Sequence, residues 1–222
     1  MDGEDGRKLE VYDQLSRVAS AMANGKRLHL LELLAQSERS VELLARDAGL
    51  GLTSVSSHLQ ILRGAGLVRT RRDGTAIYYR LAGPEVADLF VTMKSVGLKR
   101  VPALRAAMTE YLAGDASETD SPTVGLSQVT DTDVVMLDVR PRHEYDAGHY
   151  PGAASIPLSE LAARIGEVPS GRQVVVYCRG ELCKLAGDAA RMLRAAGIDA
   201  AAMDEGILEW RASSEVVLDA PA

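Results

Sequence analysis

The chain has 222 residues, 46% of them hydrophobic, and a formal net charge of −6. That is enough apolar material for a core in one or two domains, and no stretch approaches the ~18 consecutive apolar residues of a membrane span. Residues 1–113 carry 16 Lys and Arg against 13 Asp and Glu, while residues 114–222 carry 9 against 18; the acidic half is thereby excluded from lying on nucleic acid, where phosphates demand cations.

The opening segment "MDGEDGRKLE" lacks the apolar run of a signal peptide, so a cytoplasmic protein is expected. Residues 7–113 read as mostly helical. In "RKLEVYDQLSRVASAM" the apolar residues Leu9, Val11, Leu15, Val18 and Met22 approximate a helical stripe. Asn24 is placed to cap "GKRLHLLELLAQ", with Leu28, Leu31, Leu34 and Ala35 inward, and Ser40 to cap "VELLARDAG", which Gly49 ends. In "TSVSSHLQILRGAG" the inward set is Val55, Leu59 and Leu62.

The period then changes to two. "LVRTRRDGTAIYYRL" holds Asp73-Gly74 at its centre, a favoured dipeptide for a tight hairpin. A long helix is predicted from about Pro84 to Leu112, bending near Gly97 and Pro102. The small, acidic stretch "GDASETDSPTVG" (114–125) reads as a linker. Beyond it, "DVVMLDVR" and "RQVVVYC" are apolar runs of the buried parallel-strand type, "IDAAAMDEG" is a weaker one, and helical segments intervene. The predicted architecture is therefore two domains: a mainly α winged helix-turn-helix domain (7–113) and, after the linker, an α/β domain (126–219).

In the first, the second helix of the helix-turn-helix pair would enter the major groove. Its outward side chains, Thr53, Ser54, Ser56, Ser57, His58 and Gln60, are short hydrogen-bonding groups suited to phosphates and base edges. Arg63, Arg69, Arg71, Arg72 and Arg80 give the hairpin region a field that favours the duplex backbone. The stretch from Leu43 to Leu81 resembles the ArsR/SmtB-type bacterial repressors through Ser56, His58, Leu59, Leu62, Gly66, Leu67, Val68, Gly74 and Tyr78. The resemblance implies a dimer, paired through the first and the long helix, on a double-stranded DNA operator.

Two departures matter. Gly51 and Leu52 stand where that family often opens the recognition helix with Ser-Gln. Leu44 and Arg46 stand where its metal sensors place thiolates, and the last helix has Glu85 and Asp88 without a histidine. No metal site and no cofactor is expected.

Both cysteines lie in "VVVYCRGELCKLAGDAA". A thiol at the end of a buried parallel strand, before a loop and a helix, sits where backbone N–H groups converge, which favours a thiolate at Cys178, with Arg179 adding a cation. "MLDVRPRHEYDAGHYPGAASIPLSEL" together with "VVVYCRGELC" resembles the rhodanese family of sulfurtransferases. The resemblance implies that Cys178 carries a persulfide. It makes Arg179, Gly180, Glu181, Leu182 and Cys183 the rest of a sulfur-cradling loop, with Asp138 and Arg140 as pocket supports. The related phosphatase and arsenate-reductase branch has a loop one residue longer, usually closed by Arg, where this chain has Lys184.

Cys183 reads either as a half-buried start of the helix or as a resolving thiol, its sulfur starting too far from Cys178 to bond without rearrangement. In "DEGILEW", Glu205 replaces one glycine of the usual pair, an expected strain on that turn. Three functions follow: a DNA-binding regulator, most simply a repressor, that senses or transfers sulfane sulfur; a sulfurtransferase with an independent DNA-binding head; and an arsenite-responsive repressor using Cys178 and Cys183. A sulfane-sulfur donor or thiol acceptor is the implied small-molecule partner.

Overall fold

The computed structural model describes residues 2–113, 122–129, 134–169, 171–213 and 216–219. The chain divides into two compact units, Met1–Ala87 and Asp88–Ala222.

The first unit is built from α1 (Asp2–Met22), α2 (Gly25–Gln36), β1 (Arg39–Ser40), α3 (Val41–Ala48), α4 (Leu52–Gly64), β2 (Val68–Asp73) and β3 (Ala76–Leu81). Its helix boundaries follow the cap chemistry. The Asn24 side chain accepts from the N–H groups of Lys26 and Arg27 at 3.1 and 3.3 Å, satisfying two of the orphan donors that open α2. Ser40 accepts from Leu43 N–H at the start of α3, and Gly49 ends that helix at φ 64°. Leu30, Leu33, Leu34, Leu44, Val55, Leu59 and Leu62 form the core.

Four features differ from the sequence expectation. Both Leu30 and Leu33 are fully buried, so α2 is covered on more than the expected face. Arg39 and Ser40 add a third strand, pairing β1 with β3 in the order β1-β3-β2. The hairpin pairs Asp73 with Ala76, so its two loop residues are Gly74, at φ 59°, and Thr75, one position later than expected. On α1, Leu9, Val11 and Leu15 lie more than half exposed, so only the Val18 and Met22 end of the expected stripe is covered in the single chain.

The expected long helix is two, α5 (Pro84–Arg100) and α6 (Pro102–Ala113). Pro102 occupies the first helical position, where its missing N–H costs nothing, and the path breaks at Val101. A Cβ on Gly97 would stand 2.7 Å from Leu104, so glycine permits the close return. The stretch 114–121 of the expected linker lies outside the described residues, and Thr123–Val124 is already a strand.

The second unit's sheet is five-stranded and parallel, in the order β4 (Thr123–Val124), β8 (Ala200–Met203), β7 (Val174–Tyr177), β5 (Val135–Asp138), β6 (Ala154–Ser155). Along β7 side chains alternate between faces. Val174, Val176 and Cys178 pack with Ala186, Ala189 and Leu193 of α9 (Leu185–Ala195). Val175 and Tyr177 pack with Met203 and with Ile207 and Trp210 of α10 (Ile207–Ser213). The weak alanine strand is real because small side chains fit between two helical layers. Two short helices, α7 (Arg142–Asp146) and α8 (Leu158–Arg164), join the β5 side.

Asn24→Ala should cost about 1 kcal/mol of stability, the usual worth of an N-cap. An unchanged urea midpoint would show that the cap contributes nothing.

Candidate functional site

Helix α4 opens at Gly51, whose backbone supplies no side-chain cap. Along it Thr53, Ser57, Gln60 and Arg63 are exposed, while Ser54, Ser56 and His58 are half-buried. Ser57 Oγ donates back to the Thr53 carbonyl at 3.0 Å, and Gln60 donates to the Tyr79 hydroxyl at 3.3 Å. Burial, with Arg27 and Lys26 nearby, holds His58 below the ordinary histidine range, so it stays neutral near pH 7. Arg69, Arg72 and Arg80 are exposed on the hairpin. Arg71 is tied to Glu38 at 2.6 Å and Asp73 at 3.2 Å, which tempers its charge.

The thiol loop follows the carboxyl end of β7, where open parallel sheets place their crevices. The first N–H groups of α10 close over it: Ile207 N–H donates to the Cys178 carbonyl at 3.4 Å and Leu208 N–H to that of Arg179 at 3.0 Å. Gly206 must be glycine here, because a Cβ would lie 2.4 Å from the Cys178 carbonyl oxygen. The neighbouring Glu205 is useful rather than merely tolerated, since it accepts from the Trp210 indole at 3.3 Å.

Charges hold the loop on both flanks. Arg179 makes a bidentate pair with the fully buried Glu144, at 2.6 to 3.1 Å. Its guanidinium is thus chiefly a brace. Lys94 of α5, only 9% exposed, reaches Glu181 of the loop at 2.8 Å and Glu209 of α10 at 2.5 Å. Burial pushes the Lys94 pKa down, but Glu209 and Glu181 outweigh it, and the net direction is upward: Lys94 is charged. Glu209 also accepts from Gly206 N–H at 3.1 Å. Nothing local in the sequence singles out Lys94, because its partners lie far along the chain.

Asp138 and Arg140 are both fully buried and paired at 2.6 Å, and Arg140 also donates to the Gly148 carbonyl at 2.8 Å. They sit at the end of β5 and tie it to the loop that carries Gly148.

The cysteines divide their roles differently from expectation. Cys178 is 2% exposed, and its thiol faces the carbonyls of Cys183 at 3.4 Å and Gly180 at 3.9 Å. Acceptors of that kind favour S–H over S⁻. Burial pushes the Cys178 thiol well up, and its hydrogen bond to Cys183 adds to this. Cys183, half-buried, is lowered, first by receiving the Cys178 hydrogen bond and further by the backbone N–H groups of Arg179 and Leu185. Backbone N–H groups of Gly180 and Ala186 act on Cys178 as well, but its burial outweighs them, so the thiolate is favoured at Cys183. The two thiols are near enough that each shifts the protonation of the other. Glu181 contacts Lys94, Leu182 is half-buried, and Gly180 packs against Glu209. Among the described residues no group of three or more His, Cys, Asp or Glu side chains converges as a metal site, and no helix is long and apolar enough to cross a membrane.

A winged helix-turn-helix unit followed by a parallel sheet with a strand-end thiol loop defines a two-module regulator. The bacterial regulatory protein arsR family matches residues 24–70, and the rhodanese-like domain matches residues 122–213. HTH-type transcriptional regulator Rv0324 of Mycobacterium tuberculosis is 44% identical over 95% of this chain and 93% of its own length. Uncharacterized HTH-type transcriptional regulator Rv0081 of the same species is 39% identical over 49% of this chain and 96% of its own. Among solved structures, the homodimeric winged helix-turn-helix DNA-binding domain Mb0332 of Mycobacterium bovis is 47% identical, covering 46% of this chain and 95% of that one, with a TM-score of 0.42. The chain belongs to the ArsR-type transcriptional regulators that carry a C-terminal rhodanese-like domain. It is a DNA-binding transcriptional regulator.

Two outcomes are expected. Asp138→Asn strands a buried guanidinium and should cost about 3–5 kcal/mol, read by denaturation; a loss below half of that would remove the bracing role. Because the Cys183 pKa is lowered and that of Cys178 raised, iodoacetamide at neutral pH should label Cys183 first. Its rate should hold to lower pH than an ordinary thiol's and fall only as pH drops through the lowered pKa. Trypsin cuts at Arg179 and Lys184, so peptide masses separate the two sites; Cys178 labelling first would reverse the assignment.

Proposed function

We propose that this regulator is a cytoplasmic homodimeric repressor whose C-terminal unit senses sulfane sulfur through a persulfide on Cys178, with Cys183 as its reacting neighbour. The observation that carries the sensing role is Lys94, a buried cation on α5 held by Glu181 of the thiol loop and by Glu209. Helix α5 begins at Pro84, and its first turn buries Val86 and Ala87. The same helix carries Lys94, which reaches Glu181 of the thiol loop.

The mechanism follows from crowding. Cys178 is sealed between carbonyls, so an added sulfur atom requires the loop to shift. Glu181 moves with the loop, and Lys94 loses a partner while still buried. A hydrogen bond to a charged group is worth about 1.5–3 kcal/mol, which matches the roughly 1–3 kcal/mol needed to release an operator.

Dimer formation is supported by exposed apolar side chains, Leu9, Val11, Tyr12 and Leu15 on α1 and Leu89, Met93 and Val96 on α5. Pairing through these helices would set two α4 helices about one duplex turn apart, with Thr53, Ser57, Gln60 and Arg63 toward the groove and Arg69, Arg71 and Arg72 on the backbone. Ser54, Ser56 and His58 would support its flanks.

Binding of the full-length chain to its own upstream DNA, measured with and without polysulfide, tests this reading. Polysulfide should weaken binding by about fivefold or more, and Cys178→Ser should bind DNA but ignore polysulfide. Lys94→Met should still acquire the persulfide yet no longer change its DNA affinity. If the Cys178→Ser chain leaves its operator on treatment, the sensing role fails.

A further inference from the structure

Cys183, and not Cys178, borders open space. A cavity of about 430 Å³ lies beside it, walled by Met108 and Leu112 of α6, Ala186 of α9, and Ala202 and Met203 of β8. Cys178 is absent from its lining and is 2% exposed. That volume falls within the range of small-molecule sites, ~300–1,000 Å³.

Charged groups at the cavity's edge are already engaged or acidic. Arg191 is paired with Asp188, Lys184 Nζ stands 4.3 Å from the centroid of the Tyr111 ring, Glu181 is paired with Lys94, and Asp204 adds a further carboxylate. A small dianion such as thiosulfate would meet this edge unfavourably, whereas an uncharged carbon skeleton would bury apolar area against the walls.

We propose that Cys183 is the entry thiol, taking sulfane sulfur from an organic hydropersulfide, R–S–SH with an apolar R group held in this cavity, and handing it inward to Cys178. This deepens the sulfane-sulfur reading above and rests on it. In the first step the Cys183 thiolate attacks the outer sulfur of R–S–SH; a Cys183 S–S bond forms, the donor's S–S bond breaks, and R–S⁻ leaves. In the second, the Cys178 sulfur, which lies 3.4 Å from the Cys183 carbonyl oxygen, attacks that same outer sulfur. Cys183 departs as thiolate, and the Cys178 proton passes to R–S⁻. The sum is Cys178–SH + R–S–SH → Cys178–S–SH + R–SH. The transferred sulfur keeps its oxidation state, so no external oxidant or reductant is needed.

The test treats the full-length chain with benzyl hydropersulfide, and separately with thiosulfate, and follows each cysteine by intact mass and tryptic mapping over time. The wild-type chain should load Cys178 from benzyl hydropersulfide faster than from thiosulfate. Cys178→Ser should accumulate the extra sulfur on Cys183. Cys183→Ser should load Cys178 about tenfold more slowly or worse, since the buried thiol must then act alone. Leu112→Asp, which keeps both cysteines but places a carboxylate in the apolar wall, should slow loading from the benzyl donor. If Cys183→Ser loads at the wild-type rate while Cys178→Ser stays unmodified, Cys178 is attacked directly and the relay is overturned, with the sensing proposal intact. If neither cysteine of the wild-type chain takes up sulfur, the sulfane-sulfur reading itself falls.

Discussion

A buried ammonium has to be paired, and the second unit is arranged around that requirement. Removing Lys94 from water costs several kcal/mol, which only close, well-aligned carboxylates offset. Glu181 and Glu209 supply them, one from the thiol loop and one from the helix that caps it. The positions of α5, the loop and α10 therefore depend on one another. Gly206 tightens the same arrangement by letting the backbone before α10 touch the loop directly. A perturbation at any of the three members is felt by the other two, because a packed interior with satisfied charges does not deform gradually.

The same local sequence creates two opposite thiol environments. A strand-end loop exposes both carbonyls and N–H groups toward its centre, and a side chain's protonation follows whichever it meets. Backbone N–H groups reach both sulfurs, but Cys178, continuing the buried register of β7, is the more desolvated and also faces carbonyls, whereas Cys183, at the turn into α9, receives the Cys178 hydrogen bond. Sequence position names Cys178 as the sulfur carrier through family resemblance, while environment names Cys183 as the more nucleophilic of the two. These statements are compatible when one thiol collects and the other stores.

Much of this was legible in the residues because it rests on local chemistry. Asn24, Ser40 and Gly49 mark helix ends through hydrogen bonds made within a few residues, and β7 is a run of valines with no other economical fold. Resemblance singled out Asp138 and Arg140, and the two form a buried pair. What escaped depends on distant partners. Arg39–Ser40 becomes a strand only because Tyr78 and Tyr79 lie beside it. Lys94 looks like any helix lysine until residues 181 and 209 are brought to it. The exposed Leu9, Val11 and Leu15 repeat as a core stripe would, since periodicity records that a face is apolar and not what covers it. The thiol assignment escaped for a finer reason: sequence shows that N–H groups converge on a loop, but not that burial outweighs them at one of the two sulfurs.

On the proposed reading, a buried carrier suits signalling better than turnover. An enzyme that passes sulfur rapidly gains from a nucleophile open to both donor and acceptor, and from a loop that accommodates the extra atom without moving. Cys178 has neither property, being buried against α9 with its sulfur facing the Cys183 and Gly180 carbonyls. On the proposed reading, the added sulfur is slow to leave because acceptors face the same barrier as donors. The strain it introduces then falls on the segment bearing Glu181, the loop residue whose carboxylate helps keep Lys94 neutralised. A site that admits its ligand through a neighbour, holds it out of solvent and converts its volume into a lost ion pair has the physical form of a switch. The same features would make it a poor catalyst.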